Sequence, residues 1–186
     1  RPARSMGGSG LDRYISDLVV LEDSPLVDQP LMEDEDLASA MVDVMDVRRD
    51  GRVVQGEVNE IEPQAGDVLR VHGEAEQLDR FTQRAGLELV GEGDWREADP
   101  RGEDHVLMEI LVAPDSPLAG KRIRRAAISE RLGAVLLAIR QRGSLRHTDL
   151  ENVRLKAGDC LLVAADRHRL EDIEKDPAVV VVNSFD

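Results

Sequence analysis

Lys121, Arg122, Arg124 and Arg125 put four cations into five residues of the stretch KRIRRAAISERL, and Arg140 and Arg142 follow at the end of an apolar run. Guanidinium groups suit one kind of chemistry well, because their planar fork of N–H donors matches two oxygens of a phosphate or carboxylate. Lys121, Arg122, Arg125 and Arg140 are therefore the candidate binding residues, for a small anionic ligand clamped where this segment lies beside a symmetry mate. The same pattern also reads as a solvated basic face, or as one side of a salt-bridged contact with the acidic first half of the chain.

Other residue groups offer less. The four histidines, His72, His105, His147 and His168, are scattered with no His-x-x-x-His or Cys-x-x-Cys pairing, so no zinc site is expected. Gly120-Lys121 would need a glycine five positions earlier to form a phosphate loop, and that place holds Asp115. Gly91-Glu92-Gly93 starts a dinucleotide pattern that Arg96 breaks. The run Glu33-Asp34-Glu35-Asp36 lacks the alternation and central glycine of a calcium loop, and reads as acids in the first turn of a helix. Asp67 and Asp159 each follow a glycine in a turn before a strand, where a carboxylate bonds to nearby backbone amides. Cys160, the one cysteine, sits inside CLLVAA and reads as a small buried hydrophobe. No catalytic residue, metal ligand or cofactor is nominated.

The elements that position these groups must be built almost without rings, since aromatics make up 2% of the 186 residues against 41% apolar residues in all. Cores of Val, Leu, Ile and Ala suit small layered sheets. The longest apolar run, Gly133–Ile139, falls far short of the roughly 20 residues of a membrane helix. The first ten residues have no apolar stretch and read as a loose lead-in rather than a signal peptide. The formal net charge of −14 lies entirely in the first half: residues 1–103 hold 11 Lys+Arg against 25 Asp+Glu, residues 104–186 hold 13 against 13. Such a field repels nucleic-acid phosphates and anionic lipid surfaces, so no nucleic-acid partner is expected.

Shifted against itself by 92 residues, the chain falls into register without a gap. Ser24-Pro25-Leu26 meets Ser116-Pro117-Leu118, Gly51 meets Gly143, Ala65-Gly66-Asp67 meets Ala157-Gly158-Asp159, and Leu78 and Phe81 meet Leu170 and Ile173. One module stated twice is the economical reading. Each copy runs strand (Leu18–Leu21; Val106–Val112), Ser-Pro turn, short helical segment, strand (Ala40–Val47; Ala134–Ile139), glycine hairpin, shorter strand, Ala-Gly-Asp turn, strand, helix and closing strand (Leu87–Val90; Val179–Val182). Asp166 caps the last helix and Gly86 stops its counterpart. The expected fold class is α+β, two tandem copies of a small β-α-β-β-β-α-β sandwich, each around its own aliphatic layers. The expected boundaries are a flexible lead-in at 1–13, a first domain at 14–90, a linker at 91–103 and a second domain at 104–186.

The runs APDSPLAGKRI, LGAVLLAIRQRGSL and LKAGDCLLVAADRHRLEDI, which cover nearly all of the second copy, resemble the C-terminal domain of the TrkA/RCK proteins, the regulatory module of potassium transporters and related carriers. The first copy keeps Ser-Pro-Leu, the hairpin glycine and Ala-Gly-Asp, but has Asp28 where the second has Gly120, and its acidic PLMEDEDL answers a basic segment. It resembles a diverged member. Two such domains in tandem are similar to the cytoplasmic insert of permeases of the divalent-anion:sodium symporter kind. The resemblance implies a non-catalytic regulatory and oligomerising module on the cytoplasmic side of the inner (plasma) membrane, forming a homodimer and acting on the membrane-embedded part of a transporter, in the same polypeptide or as a partner subunit. It also implies a small anionic ligand or a cyclic dinucleotide, since some relatives bind cyclic di-AMP at the dimer interface of this domain. The nucleotide-binding half of many relatives is missing, and NAD is not implied. A purely structural dimerisation domain without ligand is the alternative.

Overall fold

The computed structural model describes residues 13–31, 41–91 and 105–185. The expected first-copy helical segment, the acidic run 33–36 and all of the linker but Gly91 lie outside these residues. Arg13, placed by the sequence at the end of the lead-in, opens the first strand.

The described chain forms ten strands in two five-stranded antiparallel sheets. The first holds β1 (Arg13–Val20), β2 (Asp43–Arg49), β3 (Arg52–Val53), β4 (Val68–Glu74) and β5 (Leu87–Leu89), in the spatial order β3-β2-β4-β1-β5. The second holds β6 (His105–Val112), β7 (Ala134–Gln141), β8 (Ser144–Arg146), β9 (Cys160–Asp166) and β10 (Val179–Phe185), in the order β8-β7-β9-β6-β10. Matched strand for strand, the two orders are the same. The registers also agree at the 92-residue shift: Arg13 faces Glu74 as His105 faces Asp166, Arg48 faces Val53 as Arg140 faces Leu145, and Leu18 faces Leu89 as Ile110 faces Val181. Even the β-bulge recurs, between Val44 and Asp46 and between Leu136 and Ala138.

The turns repeat for the same chemical reasons. The hydroxyls of Ser24 and Ser116 each accept from the amide two residues on, at 3.2 and 3.1 Å, which holds the chain in the Ser-Pro bend. Asp28 donates its N–H to Pro63 O as Gly120 donates to Leu155 O, and both stand at positive φ, 57° and 83°. That conformation is natural to glycine and tolerated by aspartate, so this substitution preserves the turn.

Each unit has its own helices. In the first, α1 (Ala75–Arg84) starts on a capping box between Glu74 and Gln77 and buries Leu78 and Phe81. In the second, the segment expected to be one helix is two, α2 (Ile123–Ala126) and α3 (Ile128–Leu132), because Ala127 between them stands at a left-handed φ of 49°. The last helix, α4 (Leu170–Lys175), follows a 3₁₀ turn capped by the Asp166 carboxylate, which accepts from His168 N at 2.9 Å.

The hydrophobic cores depart from the expectation of two separate nuclei. One cluster belongs to the second unit and packs Met108, Ile110, Leu136 and Leu161 with Ile128, Leu132 and Ile173 of its helices. The other joins the first unit's Leu18, Leu69, Leu78 and Phe81 to Leu107, Leu137, Ala138, Cys160 and Leu162 on the opposite face of the second sheet. The cause lies in the side-chain alternation of strands. Along β1 only every second residue is buried, whereas β6 buries nearly all of its residues. At the positions where the second sheet has Ala138, Leu162 and Ala164, the first has Asp46, Arg70 and His72. One sheet has a charged outer face; its twin has an apolar one and covers it with the neighbouring unit.

Candidate ligand-binding site

Between the two units lies a cleft of about 980 Å³, walled by the start of β1, the β7–β8 hairpin and the Ala-Gly-Asp turn before β9. Arg13 enters it from the first unit, and Arg140, Arg142 and Lys156 from the second, with Leu111 and Leu145 as apolar lining. Arg142 and Lys156 are exposed to solvent. Arg13 donates through Nη2 to Asp43 Oδ2 at 2.6 Å and to His72 O at 2.9 Å, which fixes its guanidinium at the rim.

Arg140 is half-buried and reaches inward. Its guanidinium carbon lies 5.1 Å from the centroid of the Tyr14 ring, and its Nη1 is 4.0 Å from Glu109 Oε1. Tyr14, fully buried at the junction of the units, donates its hydroxyl to Glu109 Oε1 at 2.8 Å and lies 3.0 Å from Cys160 Sγ. Asn183 Nδ2 donates to the second Glu109 oxygen at 2.6 Å. The phenol is pushed well above the usual tyrosine range, by burial first and then by Cys160 and Glu109, so it stays a neutral donor. This polar contact is a seam: a buried carboxylate of the second unit satisfied partly by the first.

The cleft also contains Asp159. Its Oδ2 accepts from Lys156 N and from Gln141 Nε2, both at 2.7 Å. The first unit's Asp67 likewise accepts from Gln64 N, at 2.9 Å, but is gripped on both oxygens by Arg49 at 2.9 and 2.7 Å. Both aspartates thus do what their turn position suggested, and the residue facing them differs, arginine in one unit and glutamine in the other.

Further along β1, His147 brings Nε2 to 3.6 Å from Asp17 Oδ1, while Asp17 holds Arg70 through two bonds of 2.9 and 3.0 Å. Burial lowers the His147 pKa; Asp17 opposes this, and Arg70 and Arg48 add to it. Among the described residues, no group of three or more His, Cys, Asp or Glu is placed to hold a metal ion.

The four residues nominated from sequence do not all meet here. Arg140 lines the cleft; Lys121 and Arg122 are exposed and absent from its lining, their backbone being tied to residues 153–155. Arg125 lies in α2, with its side chain outside the described set. Sequence reasoning missed Arg13 and Lys156, which stand alone in sequence and join the site only through topology.

Residues 107–176, within the second unit, match the TrkA-C domain family. The chain is related to membrane transporters over most of its length. It is 23% identical over 175 residues to the uncharacterized transporter sll0640 of Synechocystis, covering 91% of this chain and 29% of that protein. It is 29% identical over 181 residues to sodium/sulfate cotransporter 1 of Chlamydomonas reinhardtii, covering 87% of this chain and 20% of that protein. Among solved structures it is similar to the RCK_C domain dimer of S. agalactiae BusR in complex with c-di-AMP, at 23% identity over 37% of this chain and 85% of that one, with a TM-score of 0.34. The chain thus spans less than a third of the curated relatives it matches. Among the described residues no helix is long and apolar enough to cross a membrane.

Proposed function

We propose that this chain is a non-catalytic regulatory and oligomerising module of a membrane transporter, held on the cytoplasmic side and acting on the membrane-embedded part. The observation that carries this reading is the form of the match: about nine-tenths of the chain aligns with transporters of which it makes up only 29% and 20%. On this reading residues 14–90 and 104–186 are tandem TrkA-C-like domains, the first diverged. The common strand order and the constant 92-residue shift of the registers support it.

Regulation then works by population shift. A small anionic ligand, or a nucleotide such as cyclic di-AMP, must bind one arrangement of the module better than another, and the membrane part follows. Lys121, Arg122, Arg125 and Arg140 are the residues proposed from sequence to meet it, and two chains pair as a homodimer. The parent carrier, reconstituted in liposomes with residues 14–185 excised, tests the reading. It should still insert and translocate its solute, with altered assembly or altered response to added nucleotide. Unchanged assembly and response, or a complete loss of translocation in a correctly assembled carrier, would overturn it.

A second reading, a structural dimerisation domain that senses nothing, is favoured by the seam itself, since the shared core and the Tyr14–Glu109 bond hold the units together without a ligand. Calorimetry with nucleotides and simple anions separates the two readings, because only the first has a ligand to detect.

A further inference from the structure

We propose that the cleft between the units binds a phosphorylated small molecule of nucleotide size, and that the bound molecule clamps the two units together. Size is the first argument: at about 980 Å³ the cleft is at the upper end of the roughly 300–1,000 Å³ of small-molecule sites, far larger than a lone phosphate requires. Charge is the second. Arg13, the pair Arg140 and Arg142, and Lys156 come from three separate places in the fold and line one opening. The one carboxylate in the lining, Asp159, is satisfied at Oδ2 by a backbone N–H and by the uncharged Gln141. At the matching place in the first unit the partner of Asp67 is Arg49. With glutamine in place of that arginine, the second unit holds its turn without committing a guanidinium to it.

Shape supplies the third argument. A Cβ built on Gly143 or Gly158, at the two turns of the cleft wall, would meet nothing within 4 Å, so a ligand can approach the backbone there. Leu111 and Leu145 offer apolar contact for a ring, while the cations address the phosphates. Because Arg13 belongs to one unit and the other three cations to the second, a molecule that spans them ties the units together. This deepens the regulatory reading above and depends on it only for its consequence: binding is measured on the 186-residue chain, gating on the parent carrier, so either can fail alone.

Titration calorimetry with ATP, AMP, cyclic di-AMP and inorganic phosphate, at low and high salt, tests the site. At least one nucleotide should bind more tightly than phosphate and weaken as salt screens the cations. Arg142→Ala and Lys156→Ala should each weaken it by about tenfold or more, the scale of one lost charged contact. Arg13→Ala should do the same, and Asp43→Asn, which releases Arg13, should tighten binding. Arg80→Ala, at an exposed position of α1 outside the cleft, should leave affinity unchanged, and Lys121→Ala/Arg122→Ala sets the pair nominated from sequence against the cleft. A thermal scan of each variant verifies its fold, and nucleotide should raise the unfolding midpoint of the wild type but not of Arg13→Ala. No nucleotide binding to the wild type would overturn the proposal, as would binding lost with Lys121 and Arg122 instead of the cleft residues. Full affinity in a folded Arg13→Ala chain would overturn the clamp.

Discussion

Replacing Tyr14 by phenylalanine removes one oxygen from the seam between the units and leaves the ring in place. That oxygen donates to Glu109 Oε1 at 2.8 Å, and Glu109 is 6% exposed, so water does not readily take over the contact. The other Glu109 oxygen keeps Asn183 at 2.6 Å, and Arg140 remains 4.0 Å away. A hydrogen bond to a charged group is worth about 1.5–3 kcal/mol, and the deprived carboxylate oxygen puts the loss inside that range. For a chain of this length each kcal/mol moves the midpoint by about 2–4 °C, so Tyr14→Phe should melt roughly 3–12 °C below the wild type. Tyr14→Ala should cost about 3–5 kcal/mol, since it also opens a cavity and removes the Arg140 cation–π contact. Urea titrations of the three proteins measure both differences. A Tyr14→Phe chain as stable as the wild type, beside a badly weakened Tyr14→Ala, would refute the reasoning: the ring would matter and the bond to Glu109 would not.

Three further outcomes follow from the same structure. The His147 pKa is lowered by burial below its ordinary 6.5, so the folded state binds fewer protons than the unfolded one. Its contribution is fully present above about pH 6.5 and is lost as pH falls through the depressed folded value; His147→Gln should flatten the acid side of a stability profile, with a residual slope from His72, shifted the same way by burial and Arg13. Leu162→Arg gives the second sheet the residue its twin has at Arg70 and drives a cation into the shared core; it should cost several kcal/mol, seen as a collapse of the denaturation midpoint. Asp67→Ala strips Gln64 N and Arg49 of their acceptor beneath a 2% exposed carboxylate and should cost about 1–3 kcal/mol in the same titration.

The recurrence of strand order and register was legible in the sequence because the residues that mark it make turns. Serine before proline, a hairpin glycine and Ala-Gly-Asp each fix a local backbone shape through their own chemistry, so their spacing survives when the strand residues between them diverge. The apolar run HVLMEILV of β6 likewise hints at a strand buried on both faces. What covers the second face was not legible. Tyr14 and Glu109 lie 95 residues apart, and nothing local in either indicates the other. The basic segment at 121–125 was conspicuous because its cations are consecutive. Arg13 and Lys156 line the cleft with Arg140 and Arg142, yet each of those two looks like an ordinary surface charge until the sheets are stacked. The split of the helix at Ala127 also escaped the pattern, since alanine there gives no sign of a left-handed backbone.

The shared core makes the two units one cooperative body, and hydrogen exchange with increasing denaturant measures that directly. Amides of β1 and β4 in the first sheet and of β6 and β9 in the second should lose protection together, in one cooperative opening, because Leu107, Leu137 and Leu162 complete the first unit's core. Protection lost in two separated waves, with the first sheet open while the second stays closed and its apolar face quiet, would contradict it.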